Sequence, residues 1–155
     1  MSFIKAKEYL EKYNLGDRIM EFKESSATVE EAARVVGCTE AEIAKSLSFI
    51  VNDKPIMIIV SGDKKIDNSK FKKEFHTKAK MIPFNDVEKL IGHKAGGVCP
   101  FGINKDVTIY LDESLKDFDY IYPACGSDNS AVKLTLPELE KTSIYEKWVN
   151  VCKES

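Results

Sequence analysis

Apolar positions along this chain change period several times, and each change marks an element. Over residues 2–13, Phe3, Ala6, Tyr9, Leu10 and Tyr13 recur at helical spacing, which predicts an amphipathic helix with one buried stripe. Residues 18–22 read as a short strand. Thr28-Val29-Glu30-Glu31 then has the Thr-x-x-Glu pattern of a capping box. In that pattern the threonine oxygen and the glutamate carboxylate each satisfy a backbone N–H that the first helical turn leaves unpaired. Ala32, Ala33, Val35 and Val36 supply the buried side of that helix, and Gly37 stands where a helix ends in the left-handed conformation. A second box, Thr39-Glu40-Ala41-Glu42, predicts a short helix running into Lys45.

The middle of the chain changes to strand character. Residues 46–51 and 55–61, joined by Asn52-Asp53-Lys54, form a hairpin pattern. The second of these runs, PIMIIVS, is apolar without alternation from Ile56 to Val60, as expected of a central strand covered on both faces. A helix over 67–75, a short strand over 80–82 and a helix over 85–91 stopped by Gly92 follow. Strands are expected at 107–111, 120–124 and 131–135, the last after the turn Gly126-Ser127-Asp128-Asn129. Pro137 opens a final helix, and residues 145–152 carry the only tryptophan. With no repeat, low-complexity tract or linker, the pattern predicts a single α+β domain over 1–155, with helices around a mixed, barrel-like β core.

Charge and composition narrow the partners. A formal net charge of −2 excludes a generally basic nucleic-acid groove, DNA-binding included, so any RNA contact must be local. Residues 61–80 are the exception: Lys64, Lys65, Lys70, Lys72, Lys73, Lys78 and Lys80 face only Asp63, Asp67 and Glu74. Lys64, Lys65, Lys70, Lys72 and Lys73 are the candidate phosphate contacts; the alternative is a solvated helix face. The stretch lacks the aromatic interleaving of single-strand stacking platforms. No run approaches a membrane span, and the N-terminus lacks a signal-peptide core. Four cysteines without close spacing read as reduced thiols, which places the protein in the cytoplasm.

Candidate chemistry concentrates in two segments. Lys94 to Gly102 reads KAGGVCPFG, a Gly/Pro loop able to present bare backbone N–H groups to a developing negative charge. Upstream, Lys45 interrupts an apolar helix–strand junction, either on a solvated face or aimed into a cleft. Cys99 invites a nucleophile reading, with His93 six residues away, against the commoner role of a small buried hydrophobe. No cysteine or histidine pair has metal-ligand spacing, and no metal or organic cofactor is expected.

In combination, SSATVEEAA, IAKSLSF, SGDKKID, GGVCPFG, LDESL and the glycine-led turn resemble the YbaK/EbsC family of aminoacyl-tRNA editing deacylases, over roughly residues 18–140. Gly96-Gly97-Val98-Cys99-Pro100 matches the family's Gly-x-x-x-Pro loop, which recurs in the editing domain inserted in bacterial prolyl-tRNA synthetases. The resemblance implies a YbaK-like fold. It implies that Lys45 faces the substrate's terminal nucleotide and ester, and that amides around Gly96 and Gly97 hold the oxyanion. Thr28, Val98, Cys99, Pro100, Phe101 and Gly102 are implied as substrate-binding positions. Asp112, in the Asp-x-Ser-Leu segment, either positions a water or the substrate amine or caps the turn that follows. Gly126 and Ser127 either border the pocket or form a plain β-turn. The cysteine-selective branch tends to carry an Asp where this chain has Ala131 and a tyrosine near Phe22, and SSATVEEAA looks instead like stand-alone relatives of the prolyl editing domain. The implied activity is trans hydrolysis of a small mischarged aminoacyl ester, on tRNA-Pro, by water attack. Aminoacyl-tRNA is the implied partner, with a synthetase as a second. The competing readings are a Cys99-dependent thiol hydrolase and a non-catalytic module that binds tRNA or a synthetase.

Overall fold

A computed structural model describes residues 2–154; Met1 and Ser155, the ends of the expected domain, lie outside the described residues. At its centre, β2 (Ile43–Val51) and β3 (Lys54–Ser61) form the antiparallel hairpin that the apolar runs predict. Val51 pairs with Lys54, so the loop is only Asn52-Asp53, and both residues have positive φ, 52° and 64°. Such a turn follows the right-handed twist of the strands it joins.

Four more strands extend this hairpin into a mixed sheet. Thr108–Asp112 (β5) adds in parallel to β3, and Lys147–Val149 (β9) in parallel to β5. On the other side Tyr120–Pro123 (β6) pairs in parallel with Ile43 and Ala44, and Leu134–Thr135 (β8) pairs antiparallel to β6. Two ribbons complete the β structure. Ile19–Glu21 (β1) pairs with Ser130–Val132 (β7), and Lys64–Ile66 (β4) with Cys152–Glu154 (β10). The bridge between Ala124 and Ala131 carries the sheet round into the first ribbon. The result is a curled half-barrel of α+β architecture, as expected.

Both faces of β3 are buried, and each has its own core. Met57 and Ile59 pack with Leu111, Ile121 and Leu134 beneath α1 (Ser2–Glu11), α4 (Val87–Ile91) and α5 (Leu136–Ser143). Ile56, Ile58 and Val60 pack with Phe49, Phe71 and Val151 beneath α3 (Asn68–Phe75). Each such aliphatic side chain contributes about 1.5–3 kcal/mol on full burial, which is why β3 needs no polar alternation.

Several expectations are corrected. The second capping box is real, with Thr39 accepting from the Glu42 amide, but it caps a single 3-10 turn. The chain is extended from Ile43 onward, so Lys45 lies inside β2 and not at a helix end. The expected strand at 80–82 is one bridge from Met81 to Phe49. The strand at 131–135 is divided at exposed Lys133 into β7 and β8. Strands β4, β9 and β10 carried no apolar run long enough to announce them.

Candidate active site

Helix α2 (Val29–Val36) begins at its capping box: the Thr28 hydroxyl accepts from the Glu31 amide at 3.1 Å, and the Glu31 carboxylate accepts from the Thr28 amide at 3.3 Å. The extended segment before it is pinned by the Phe22 and Ser26 amides, which donate to the Asn129 and Asp128 carbonyls. These bonds set Ser26, Ala27 and Thr28 opposite the outer edge of β2, and a cavity of about 220 Å³ lies between them. Six alanines and four serines border it, with Thr28, Gly96 and Val98; Lys45 is its one charged residue, and it holds no carboxylate and no imidazole.

The cavity sits at a gap in the sheet. On its outer edge β2 pairs with β6 at Ile43 and Ala44, then meets residues 80–82 through Ile50 N–H to Lys80 C=O and Ile82 N–H to Ser48 C=O. Outward-facing backbone alternates along a strand, so Ser46 directs its main chain into the interval between those contacts. Its hydroxyl is buried and has no hydrogen-bond partner among the described residues. Lys45, one residue earlier, borders the cavity while its amine donates to the Lys64 carbonyl at 2.5 Å. Burial holds that amine below the ordinary lysine range, with Cys152 and Asp63 opposing the shift.

The glycine loop divides in two. Ala95, Gly96 and Val98 border the cavity. Gly96 has φ +95°, a left-handed conformation, and a Cβ there would lie 3.6 Å from Asp128 and 3.7 Å from Ala27. The Gly97 amide donates to the Lys94 carbonyl at 3.0 Å, and a Cβ on Gly97 would strike Ser127 N at 2.5 Å. Gly97 therefore serves close packing, whereas the amides of Gly96 and Val98 have no partner among the described residues. Pro100, Phe101 and Gly102 turn inward: Phe101 is fully buried with its ring 6.2 Å from Tyr9, and Gly102 packs on the backbone of Lys5.

Cys99 is also fully buried and does not reach the cavity. His93 Nε2 lies 3.4 Å from its sulfur, but the same nitrogen faces the Phe101 carbonyl. A carbonyl offers only lone pairs, so Nε2 carries the hydrogen and is not free to take one from the thiol. Burial raises the Cys99 pKa and lowers that of His93. It pushes Cys38 to about 11 and Cys125 and Cys152 to about 12, so none of the four free thiols is thiolate at neutral pH.

The remaining expected positions lie elsewhere. Asp112 caps a turn, accepting from Ser114 and Val151 amides at 2.9 Å each, on the β10 side of the sheet. Gly126 has φ +82° and packs on the Ser2 backbone, and Ser127 bonds Asn129 and Ser130 behind the cavity wall. Lys64 is paired with Glu154 at 2.9 Å, and Lys70 donates to the Cys152 carbonyl at 2.8 Å; Lys65, Lys72 and Lys73 are exposed. Sequence reasoning missed Ser26, Ser46 and the alanine lining. SSA before the box and the serine after Lys45 were the available signals. Among the described residues no group of three His, Cys, Asp or Glu could hold a metal ion, and no helix is long and apolar enough to cross a membrane.

Residues 23–142 match the family model described as the aminoacyl-tRNA editing domain. The chain belongs to that family. As an aminoacyl-tRNA editing domain it is a deacylase, and the YbaK/EbsC resemblance in its motifs is confirmed. It is 46% identical to YwhH of Bacillus subtilis, an uncharacterised protein, over 99% of each chain. A proline–tRNA ligase of Caldicellulosiruptor bescii is 30% identical over 77% of this chain, which spans 21% of the ligase. A solved structure, described as a candidate trans-editing enzyme for prolyl tRNA synthetase, superposes with TM-score 0.87 at 28% identity, covering 99% of this chain and 98% of that one. The editing-domain fold thus accounts for nearly the whole described chain.

Proposed function

We propose that this deacylase acts in trans in the cytoplasm, removing a small mischarged amino acid from tRNA-Pro. The observation that carries this reading is the cavity. Its volume of about 220 Å³ is the space of roughly seven waters. Its walls of alanine and serine suit a small, neutral side chain and offer no anion to a cationic one. The likeness to a proline–tRNA ligase and to a candidate trans-editing enzyme supports the choice of tRNA.

Water attacks the ester carbonyl carbon, and the carbonyl pair of electrons moves onto oxygen. As the tetrahedral intermediate collapses, the bond to the ribose oxygen breaks, that oxygen takes one of the water's two protons, the other passes to solvent, and the amino acid leaves as its carboxylate. The amides of Gly96 and Val98 receive the oxyanion; donors so placed are worth about 3–4 kcal/mol each in a transition state. Lys45 swings from the Lys64 carbonyl round the open edge of β2 to the ester or its neighbouring phosphate, where an ammonium with three donors needs no fixed geometry. No enzyme nucleophile, metal or organic cofactor takes part.

The test is deacylation of tRNA charged with alanine, serine, cysteine, threonine or proline. The reading expects at least one of the small mischarged esters to be cleaved and prolyl-tRNA-Pro to be spared. Binding of charged tRNA with no turnover of any ester would replace it with that of a non-catalytic module.

A further inference from the structure

On the stretch of chain that borders the cavity at Met81 and Ile82, five exposed residues lie within seven: Lys78, Lys80, Met81, Pro83 and Phe84. Phe84 is 77% exposed and Met81 57%, the highest values for large apolar side chains near the cavity. Met81 borders the cavity, as do Ile82 and Val87 on either side of Phe84. The ring, which does not itself line the cavity, is therefore carried beside it by a segment anchored at both ends. Pro83, with φ −56°, leads into a 3-10 turn over Phe84–Asp86, and the Lys80 carbonyl accepts from the Ile50 amide at 2.9 Å. Neither Lys78 nor Lys80 has an ion pair among the described residues.

We propose that residues 78–84 cradle the single-stranded 3′ end of the tRNA, with Phe84 stacked on the terminal base and Lys78 and Lys80 on its phosphates. This rests on the deacylase reading above, because it is the ester in the cavity that brings the terminal nucleotide to this rim. An exposed ring beside unpaired lysines is the combination that holds single strands without reading sequence: the π-face takes any base, and the ammonium groups follow the backbone. The lysine-rich stretch 61–80 has no exposed Phe, Tyr or Trp of its own, since Phe71 and Phe75 pack into the core, and Phe84 supplies one just beyond its end. The adjacent lysines favour a polyanion over an apolar protein surface as the occupant.

A labelled oligonucleotide ending in ACCA, and its counterpart with the terminal base removed, are the probes. Wild-type protein should bind the intact end about tenfold more tightly. Phe84→Ala should abolish that difference, while Phe84→Tyr keeps it. For an aminoacyl ester of adenosine, Phe84→Ala should raise KM about tenfold with kcat held. Lys78→Ala and Lys80→Ala should weaken both oligonucleotides alike, each lowering the slope of log K against log salt by about 0.7. Equal binding of the two probes by the wild type, or discrimination undiminished in Phe84→Ala, overturns the proposal. A changed oligomeric state of Phe84→Ala with undiminished discrimination assigns the ring to a contact between copies. Discrimination by a protein that cleaves no charged tRNA would sink the deacylase reading and leave the cradle standing.

Discussion

Lys45 carries the sharpest residue-level expectation. Its amine is held at the Lys64 carbonyl and partly desolvated, so it is neither a free surface lysine nor a fixed ion-pair member. Lys45→Ala should lower single-turnover deacylation by at least ~100-fold, about 2.7 kcal/mol in the transition state, with an unchanged circular dichroism spectrum. Near-normal turnover would leave the lysine a structural tie between β2 and β4. The pH profile gives a second check. A required ammonium is lost as pH rises through its pKa, and burial lowers that pKa. After subtraction of spontaneous ester hydrolysis, activity should therefore fall at a lower pH than for an ordinary lysine, and the limb should vanish in Lys45→Ala.

Among elements, the β2–β3 hairpin and the N-terminus of α2 do most to position the site. Asp53 holds φ 64° in the two-residue turn, a conformation hostile to β-branched side chains. Asp53→Val should cost about 1–2 kcal/mol, lowering Tm by roughly 2–8 °C, and Asp53→Gly should not lower it; the opposite order in a thermal melt would show that the turn does not set the register. Thr28→Ala removes the cap and should cost about 1 kcal/mol by denaturant titration. These elements were legible because short-range chemistry specifies them: a capping box, an asparagine-aspartate turn, an apolar run. What the sequence hid is long-range. Lys45 reads as a polar interruption of a helix–strand junction and Ser46 as the first residue of a strand, and only the pairing of β2 with β6 and with residues 80–82 opens the gap beside Ser46. In the same way the KAGGVCPFG loop was visible, but its division into a cavity half and a buried half depends on where α1 packs.

At the scale of the whole molecule, an acidic chain must hold a polyanion through a small area. Of the lysines expected to do so, Lys64 and Lys70 are engaged internally, which leaves Lys65 exposed on β4 and Lys72 and Lys73 exposed on α3. Reversing the charges of Lys72 and Lys73 should raise KM for charged tRNA and leave a short aminoacyl-adenosine ester unaffected, with a wild-type salt slope of roughly −3 when these two join Lys78 and Lys80 on the phosphates. Equal loss on both substrates would place those lysines in the fold or the pocket. The central claim is that catalysis rests on backbone donors at the cavity and not on a thiol. Single-turnover deacylation of the preferred aminoacyl-tRNA by Gly96→Ala and Cys99→Ser, side by side, tests it most directly. The Gly96 variant has space for its methyl but a strained φ of +95° that must shift the amides, so it should lose most activity. Cys99→Ser should stay within a few-fold of wild type. An inactive Cys99→Ser beside an active Gly96→Ala would contradict the account and assign the chemistry to a covalent thiol mechanism.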